Sequence, residues 1–351
     1  MFDYQNGDFD IQKKHINDEG EYVITAGTSN NGILGQSNVE AKIINKNTIT
    51  IDMFGNSFYR QFRYKMVTHA RVFALLPKFA MSEKQGLYIV NSLKFLTSKF
   101  GYENMCSWNK IKEEKIKLPT KDGKIDFIFM KTLISELEEE RISELSAYLK
   151  VSRLDNYELS DEERKVLEDF NNIKWKEYKI KELFEVSSSK KRFDANKVDL
   201  VEQRGFPYVV RTSKNNGIKG FINEEEKFLN PGNTISFGQD TATMWYQENQ
   251  YFTGDKIKIL RSNFKEFKKE NSHFFITSML KPFKVFSWGA SSFSEKIIKE
   301  QEFLLPVNSK DEIDFEYMRI FIQAIKKLVI KDVVIYADEK IKATKKVVRK
   351  D

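Results

Sequence analysis

Asn30-Asn31-Gly32-Ile33 recurs as Asn215-Asn216-Gly217-Ile218, 185 residues further on. It belongs to an ordered series of echoes. Tyr22-Val23-Ile24 precedes the first motif as Tyr208-Val209-Val210 precedes the second. Asn47-Thr48-Ile49 answers to Asn233-Thr234-Ile235, Phe54-Gly55 to Phe237-Gly238, and Ser107-Trp108 to Ser287-Trp288. Leu118-Pro119 answers to Leu305-Pro306, and Ile125-Asp126-Phe127 with Met130 to Ile313-Asp314-Phe315 with Met318. One match means little. A collinear series at nearly constant separation implies internal duplication. The 351 residues suffice for about two cores.

Each copy has the same internal order. Apolar runs broken by Asn-Gly and Gly turns read as strands, a more helical region follows, and Leu-Pro punctuates. A long helix free of Gly and Pro closes each copy: about Asp126 to Val151 in the first, with Leu133, Leu137, Ile142, Leu145 and Leu149 on one stripe. In the second it runs from about Asp314 towards Val347, with Met318, Phe321, Ile325, Leu328 and Ile335 in a/d-type positions. The expected fold is therefore α/β (α+β). Two duplicated domains, 1–120 and 175–307, are each followed by a long helix, in 121–174 with a linker and in 308–351. Neither helix can bury its stripe alone, so the two are expected to pair as an antiparallel coiled-coil spacer. About 26 residues span roughly 39 Å, comparable to one turn of B-DNA at roughly 34–36 Å.

Lys and Arg exceed Asp and Glu by 58 to 51, a net charge of +7, which favours a polyanionic partner. Cys106 is the only cysteine, which excludes an intramolecular disulfide and a cysteine zinc site. The N-terminal residues carry no signal pattern, and no apolar run approaches the ~18–20 residues of a membrane span. The expected setting is the cytoplasm, with no membrane partner.

At this point the residues resemble a known family, the specificity subunits of type I restriction-modification systems and the related BcgI-like (type IIB) systems. Trp175-Lys176-Glu177-Tyr178-Lys179-Ile180-Lys181-Glu182-Leu183-Phe184 resembles the opening of a target recognition domain in that family. Thr212-Ser213-Lys214-Asn215-Asn216-Gly217-Ile218 resembles it too, as do Gly7-Asp8-Phe9 through His15-Ile16 and the acidic linker Leu159-Ser160-Asp161-Glu162-Glu163. The resemblance covers nearly the whole chain. It implies two target recognition domains on double-stranded DNA. It also implies docked methyltransferase subunits, fused to or joined by a restriction subunit, with S-adenosylmethionine and Mg²⁺ on those partners and no cofactor here. Copy one departs from the pattern: Met1-Phe2 matches Leu183-Phe184, so its equivalent of Trp175 would lie ahead of Met1, and its lead-in is expected to be missing.

Candidate DNA contacts follow from residue chemistry, since Asn can pair with adenine edges and Arg with guanine. The Asn-Asn-Gly turns present Ser29, Asn30 and Asn31, or Arg211, Lys214 and Asn215, although a purely structural hairpin turn is the commoner reason for such a motif. After Phe54-Gly55 come Asn56, Ser57, Tyr59, Arg60 and Arg63; after Phe237-Gly238 come Gln239, Asp240, Thr241, Thr243 and Trp245. Ser291, Ser292 and Lys296, beside Trp288, are candidate phosphate ligands, whereas Trp108 and Trp288 themselves read as core aromatics.

Catalytic signatures are missing. The six prolines are never adjacent, so no Asp/Asn-Pro-Pro-Tyr site for a flipped adenine exists. Gly27 to Gly32 has Walker spacing, but Ile33 stands where Lys is required. His15, His69 and His273 lie too far apart for a His-Glu-x-x-His site, and Glu-x-Lys triplets such as Glu113-Glu114-Lys115 are expected by chance. The reading is a non-catalytic DNA specificity subunit with no metal site. A nuclease with an unrecognised motif, or a coiled-coil scaffold without DNA contact, stands as the alternative.

Overall fold

The computed structural model describes residues 1–202, 204–283 and 293–348. The Ser287-Trp288 echo lies outside the described residues. In the first copy seven strands form: β1 (Phe2–Asn6), β2 (Glu21–Ile24), β3 (Ile33–Ser37), β4 (Thr48–Ile51), β5 (Ser57–Arg60), β6 (Tyr64–Met66) and β7 (Phe73–Pro77). One sheet has the antiparallel order β1-β7-β4-β5; the other has the order β3-β2-β6, with β2 and β6 parallel. β4 reads Thr-Ile-Thr-Ile and is buried throughout; β-branched side chains suit a strand covered on both faces. Ile49, Ile51, Phe73 and Leu75 pack with Ile89, Leu96 and Met130 in one core. Ile11, Val23, Ile24, Tyr64 and Met66 make a second.

The second copy repeats this topology strand for strand. Phe184–Ser188, Ile257–Ser262, Thr234–Gly238 and Met244–Gln247 reproduce β1-β7-β4-β5; Ile218–Ile222, Phe206–Val209 and Phe252–Thr253 reproduce β3-β2-β6. The ladders fix correspondence residue by residue. Ile51 lies opposite Ser57 and Phe73, as Phe237 lies opposite Met244 and Lys258. Phe237 therefore answers to Ile51, and the expected pairing of Phe54-Gly55 with Phe237-Gly238 is corrected. Phe54 and Gly55 lie beyond β4, their amides donating to the side chain and carbonyl of Asp52. Identity of two residues misled because the loops after the strands differ in length.

Two long helices, Phe127–Val151 and Phe315–Val348, follow their copies. Each starts on an aspartate: Asp126 accepts from the Phe129 amide and Asp314 from the Tyr317 amide, both at 2.8 Å. Met130 and Met318 anchor the first turns in the cores of their own copies. Further along the second helix the most buried residues are Ala324, Val334 and Ala337, whereas Leu328 is 47% exposed. The expected stripe through Ile325, Leu328 and Ile335 is thus rotated by about one residue. The chain divides into two compact units, Met1–Ala147 with the chain from Glu339 onward, and Tyr148–Asp338.

Copy two has a further two-stranded sheet. Trp175–Lys179 pairs antiparallel with Glu302–Pro306, setting Trp175 against Pro306. The corresponding run 115–119 of copy one has no strand partner among the described residues.

Candidate nucleic-acid interface

The repeated motif builds an unusual turn. Asn30, Asn31 and Gly32 all have positive φ (47°, 51°, 72°), as do Asn215, Asn216 and Gly217 (47°, 52°, 77°). This is three left-handed residues in a row, not a two-residue hairpin turn. Asn tolerates that region because its short amide bonds locally: Asn30 Nδ2 donates to the Ile33 carbonyl and Asn215 Nδ2 to the Ile218 carbonyl.

Both turns are tied down from the end of β5 or its counterpart. Arg60 donates from Nη2 to the Asn31 carbonyl (2.8 Å) and from Nε to Thr50 Oγ1 (2.9 Å). Gln247, its counterpart, donates from Nε2 to the Asn216 carbonyl (3.1 Å) and Ser236 Oγ (3.2 Å). Arg60 is 2% exposed, and burial pushes its pKa down to about 10. The expectation that Arg60 faces DNA is corrected: its donors are committed inside the fold. The neighbouring tyrosines repeat this pattern. Tyr59 donates to Asn47 Oδ1 (2.8 Å) and Tyr246 to Asn233 Oδ1 (2.9 Å), while buried Tyr64 and Tyr251 share hydrogen bonds with Thr48 and Thr234.

Other candidates are also engaged in the scaffold. Asn56 donates to Asp52 from its amide and Nδ2, and Ser57 to the Val90 carbonyl. Gln239 donates to the Phe293 carbonyl (2.7 Å). Trp245 donates from Nε1 to the Thr212 carbonyl (2.9 Å) and lies against Gly217. Thr241 and Thr243 hydrogen-bond each other. Arg63 is 57% exposed and 3.4 Å from Glu21. Ser29, Lys214 and Lys296 are exposed; Ser291 and Ser292 lie outside the described residues.

The copies part company where β2 or its counterpart ends. In copy two Arg211 and Lys256 both reach Asp240, Lys256 at 2.8 Å. Arg211 and Thr241 line a cleft of about 830 Å³ with Arg192, Asp194, Asn196 and Asp255. In copy one Ala26 occupies the place of Arg211, and the next amide, Gly27, donates to Asp52. Copy one has its own cleft of about 470 Å³, lined by Asn6, Thr68, Arg71, Ser107, Asn109 and Lys110; above it Tyr4 stacks on Trp108 at 5.1 Å. Sequence reading missed Arg192, Arg71 and Lys256. The signal was present for the last two, which are cations at the same separation as the Asn-Asn-Gly-Ile repeats. Among the described residues there is no group of His, Cys, Asp and Glu fit for a metal, and no helix long and apolar enough to cross a membrane.

Two like scaffolds carrying unlike polar clefts are the mark of a paired recognition protein. The family model for the type I restriction modification DNA specificity domain matches residues 1–147 and 172–334, once on each copy, and the chain belongs to that family of DNA-recognition subunits. It is 23% identical over 325 residues to the type II restriction enzyme BgcI specificity subunit S.BcgI of Heyndrickxia coagulans, covering 92% of this chain and 90% of that protein. Its fold is similar to the type I restriction-modification system S subunit from M. genitalium, with a TM-score of 0.54 at 16% identity, covering 99% of this chain and 91% of that one.

Proposed function

We propose that each copy reads one half of a bipartite duplex DNA target, and that the chain directs chemistry performed by other subunits. The observation that carries this reading is a conserved hydrogen-bonded scaffold with divergent clefts. Whatever both copies share serves duplex DNA in general, and whatever differs serves sequence. In this reading Arg211 and Asp240 are the base readers of the second copy, because Arg matches guanine O6 and N7 and a carboxylate accepts from cytosine N4. Lys214, Asn215, Ser29, Asn31 and Arg63 are exposed and serve as lesser contacts. The long helices pair as the spacer, and their exposed Phe129, Leu137, Val329 and Tyr336 offer apolar surface to methyltransferase subunits. Those subunits, fused to or joined by a restriction subunit, would bring S-adenosylmethionine and Mg²⁺.

Co-expression with a methyltransferase of the same kind of system, followed by genome-wide mapping of methylated adenines, tests the reading. The expected result is a two-part motif with a fixed gap. Arg211→Ala or Asp240→Asn should alter one half alone, at about 1–3 kcal/mol of discrimination per lost bidentate contact. A continuous motif, or changes in both halves, would sink the two-reader scheme. Cleavage of DNA by the purified chain with Mg²⁺ alone would instead favour a nuclease.

A further inference from the structure

Arg71 and Lys256 stand at the same position of the two copies, two residues before Phe73 and its counterpart Lys258. Both are left-handed, with φ of 50° and 56°. A long side chain bearing a β-carbon is disfavoured there, and Gly or Asn is the ordinary occupant. The copies have diverged at most positions, yet both keep a cation in this strained turn. Retained strain points to a use for the side chain.

The surroundings supply that use. Thr68 and Arg71 line the cleft of copy one, and Gly254 and Asp255, adjoining Lys256, line the cleft of copy two. Arg71 is exposed and has no ion pair among the described residues. Lys256 is 44% exposed and rests on Asp240, a residue copy one does not have at this turn. Loops on either side differ between copies, as readers of different sequences must. The cation does not differ.

We infer that Arg71 and Lys256 are matched backbone clamps, each contacting a DNA phosphate at the rim of its cleft and setting the register of the neighbouring base readers. This rests on the two-reader function proposed above. A phosphate is the ligand class because both halves of any target share it, whereas a base contact would have diverged with the loops.

Substitution by glycine separates this role from a structural one. Arg71→Gly and Lys256→Gly remove the charge and relieve the left-handed strain together. The full chain would be titrated with mixed-sequence duplex DNA across a range of salt, beside thermal melting. Each variant is expected to bind about eight-fold more weakly near 0.1 M salt and to lose about 0.9 from the slope of log affinity against log salt, as for one phosphate contact. Its melting temperature should hold or rise, and Arg71→Lys should restore binding. Unchanged affinity and slope in both variants, with a steep slope in the parent chain, would overturn the clamp and leave the two-reader function standing. A parent chain without salt-dependent DNA binding would overturn that function and the clamp with it. A shifted methylation motif in the variants would overturn the phosphate assignment in favour of base contact.

Discussion

At the scale of single residues, the end of β5 shows how two unlike side chains can do the same work. Arg60 and Gln247 each bridge a hydroxyl on the adjacent strand to the carbonyl of a left-handed Asn. If this tether is structural, Arg60→Gln should stay within about 1 kcal/mol of the parent, whereas Arg60→Ala should cost about 2–3 kcal/mol by stranding its acceptors. Urea denaturation measures both, and neither should change the DNA motif; a changed motif in Arg60→Gln would return Arg60 to the readers. The turns invite a companion test. Asn216 is left-handed and donates from Nδ2 to the Tyr246 carbonyl at 2.9 Å. Asn216→Ala should therefore cost about 1–3 kcal/mol, and Asn216→Gly visibly less. The repeated Asn-Asn-Gly was legible in sequence because the backbone restricts those positions to few residue types. The Arg60 and Gln247 tether was not, because it requires only reach and a donor, which many residues supply.

At the scale of elements, the strands and both long helices were legible from apolar runs broken by Asn-Gly turns, apolar stripes and the absence of Gly and Pro. Loop length was not, and it displaced the Phe54-Gly55 match by three residues from the register that the ladder imposes. Nor was the burial of Ala324 in the second helix, since hydropathy favours Leu328 and Ile325. The clefts were legible only in part, because Arg211, Asp240 and Lys256 meet across segments that the sequence leaves far apart. The extra strand Trp175–Lys179 permits an element-level prediction. The run 115–119, with Ile116 and Leu118 packed on the first core, has no strand paired with it among the described residues, where copy two has a ladder. Grafting a copy of residues 172–182 ahead of Met1 should add that strand. The expected outcome is about 1–2 kcal/mol of added stability, a rise of roughly 2–8 °C in the melting of the first unit, and slower hydrogen exchange at 115–118. No change in either quantity would mean that this run does not accept a strand.

At the scale of the whole molecule, the segment joining the copies carries a buried ion pair, Glu163 with Lys327, whose acid response can be derived. Ser160 caps the helix Asp161–Glu168 by accepting from the Glu163 amide, and the Glu163 carboxylate in turn accepts from the Ser160 amide. Glu163 is 3% exposed, and Lys327 of the second long helix donates to it and to the Glu158 carbonyl, each at 2.8 Å. Tyr317 donates to the Val166 carbonyl and Phe170 stacks on Phe321, so the linker is fastened along one side of that helix. Burial alone would raise the Glu163 pKa, but the hydrogen bonds and charge of Lys327 and Ser160 hold it below 4.5. A carboxyl whose folded pKa is depressed contributes stability above its unfolded value and loses it as pH falls through the folded value. Glu163→Gln should therefore cost about 2 kcal/mol at neutral pH, and the gap to the parent should begin to close as pH falls below the ordinary carboxylate range and vanish once it passes the depressed folded value of Glu163, where the parent also becomes neutral. Other carboxylates titrate in both proteins and cancel in the difference. Lys327→Met should cost more, about 3 kcal/mol, since it leaves the carboxylate buried and unpaired, and its deficit should shrink as acid discharges Glu163. Calorimetry of the three proteins from about pH 7 to about pH 3 spans the unfolded carboxylate range. Parallel curves for parent and Glu163→Gln would show that the pair contributes nothing pH-dependent and that the linker is held by its aromatic contacts alone.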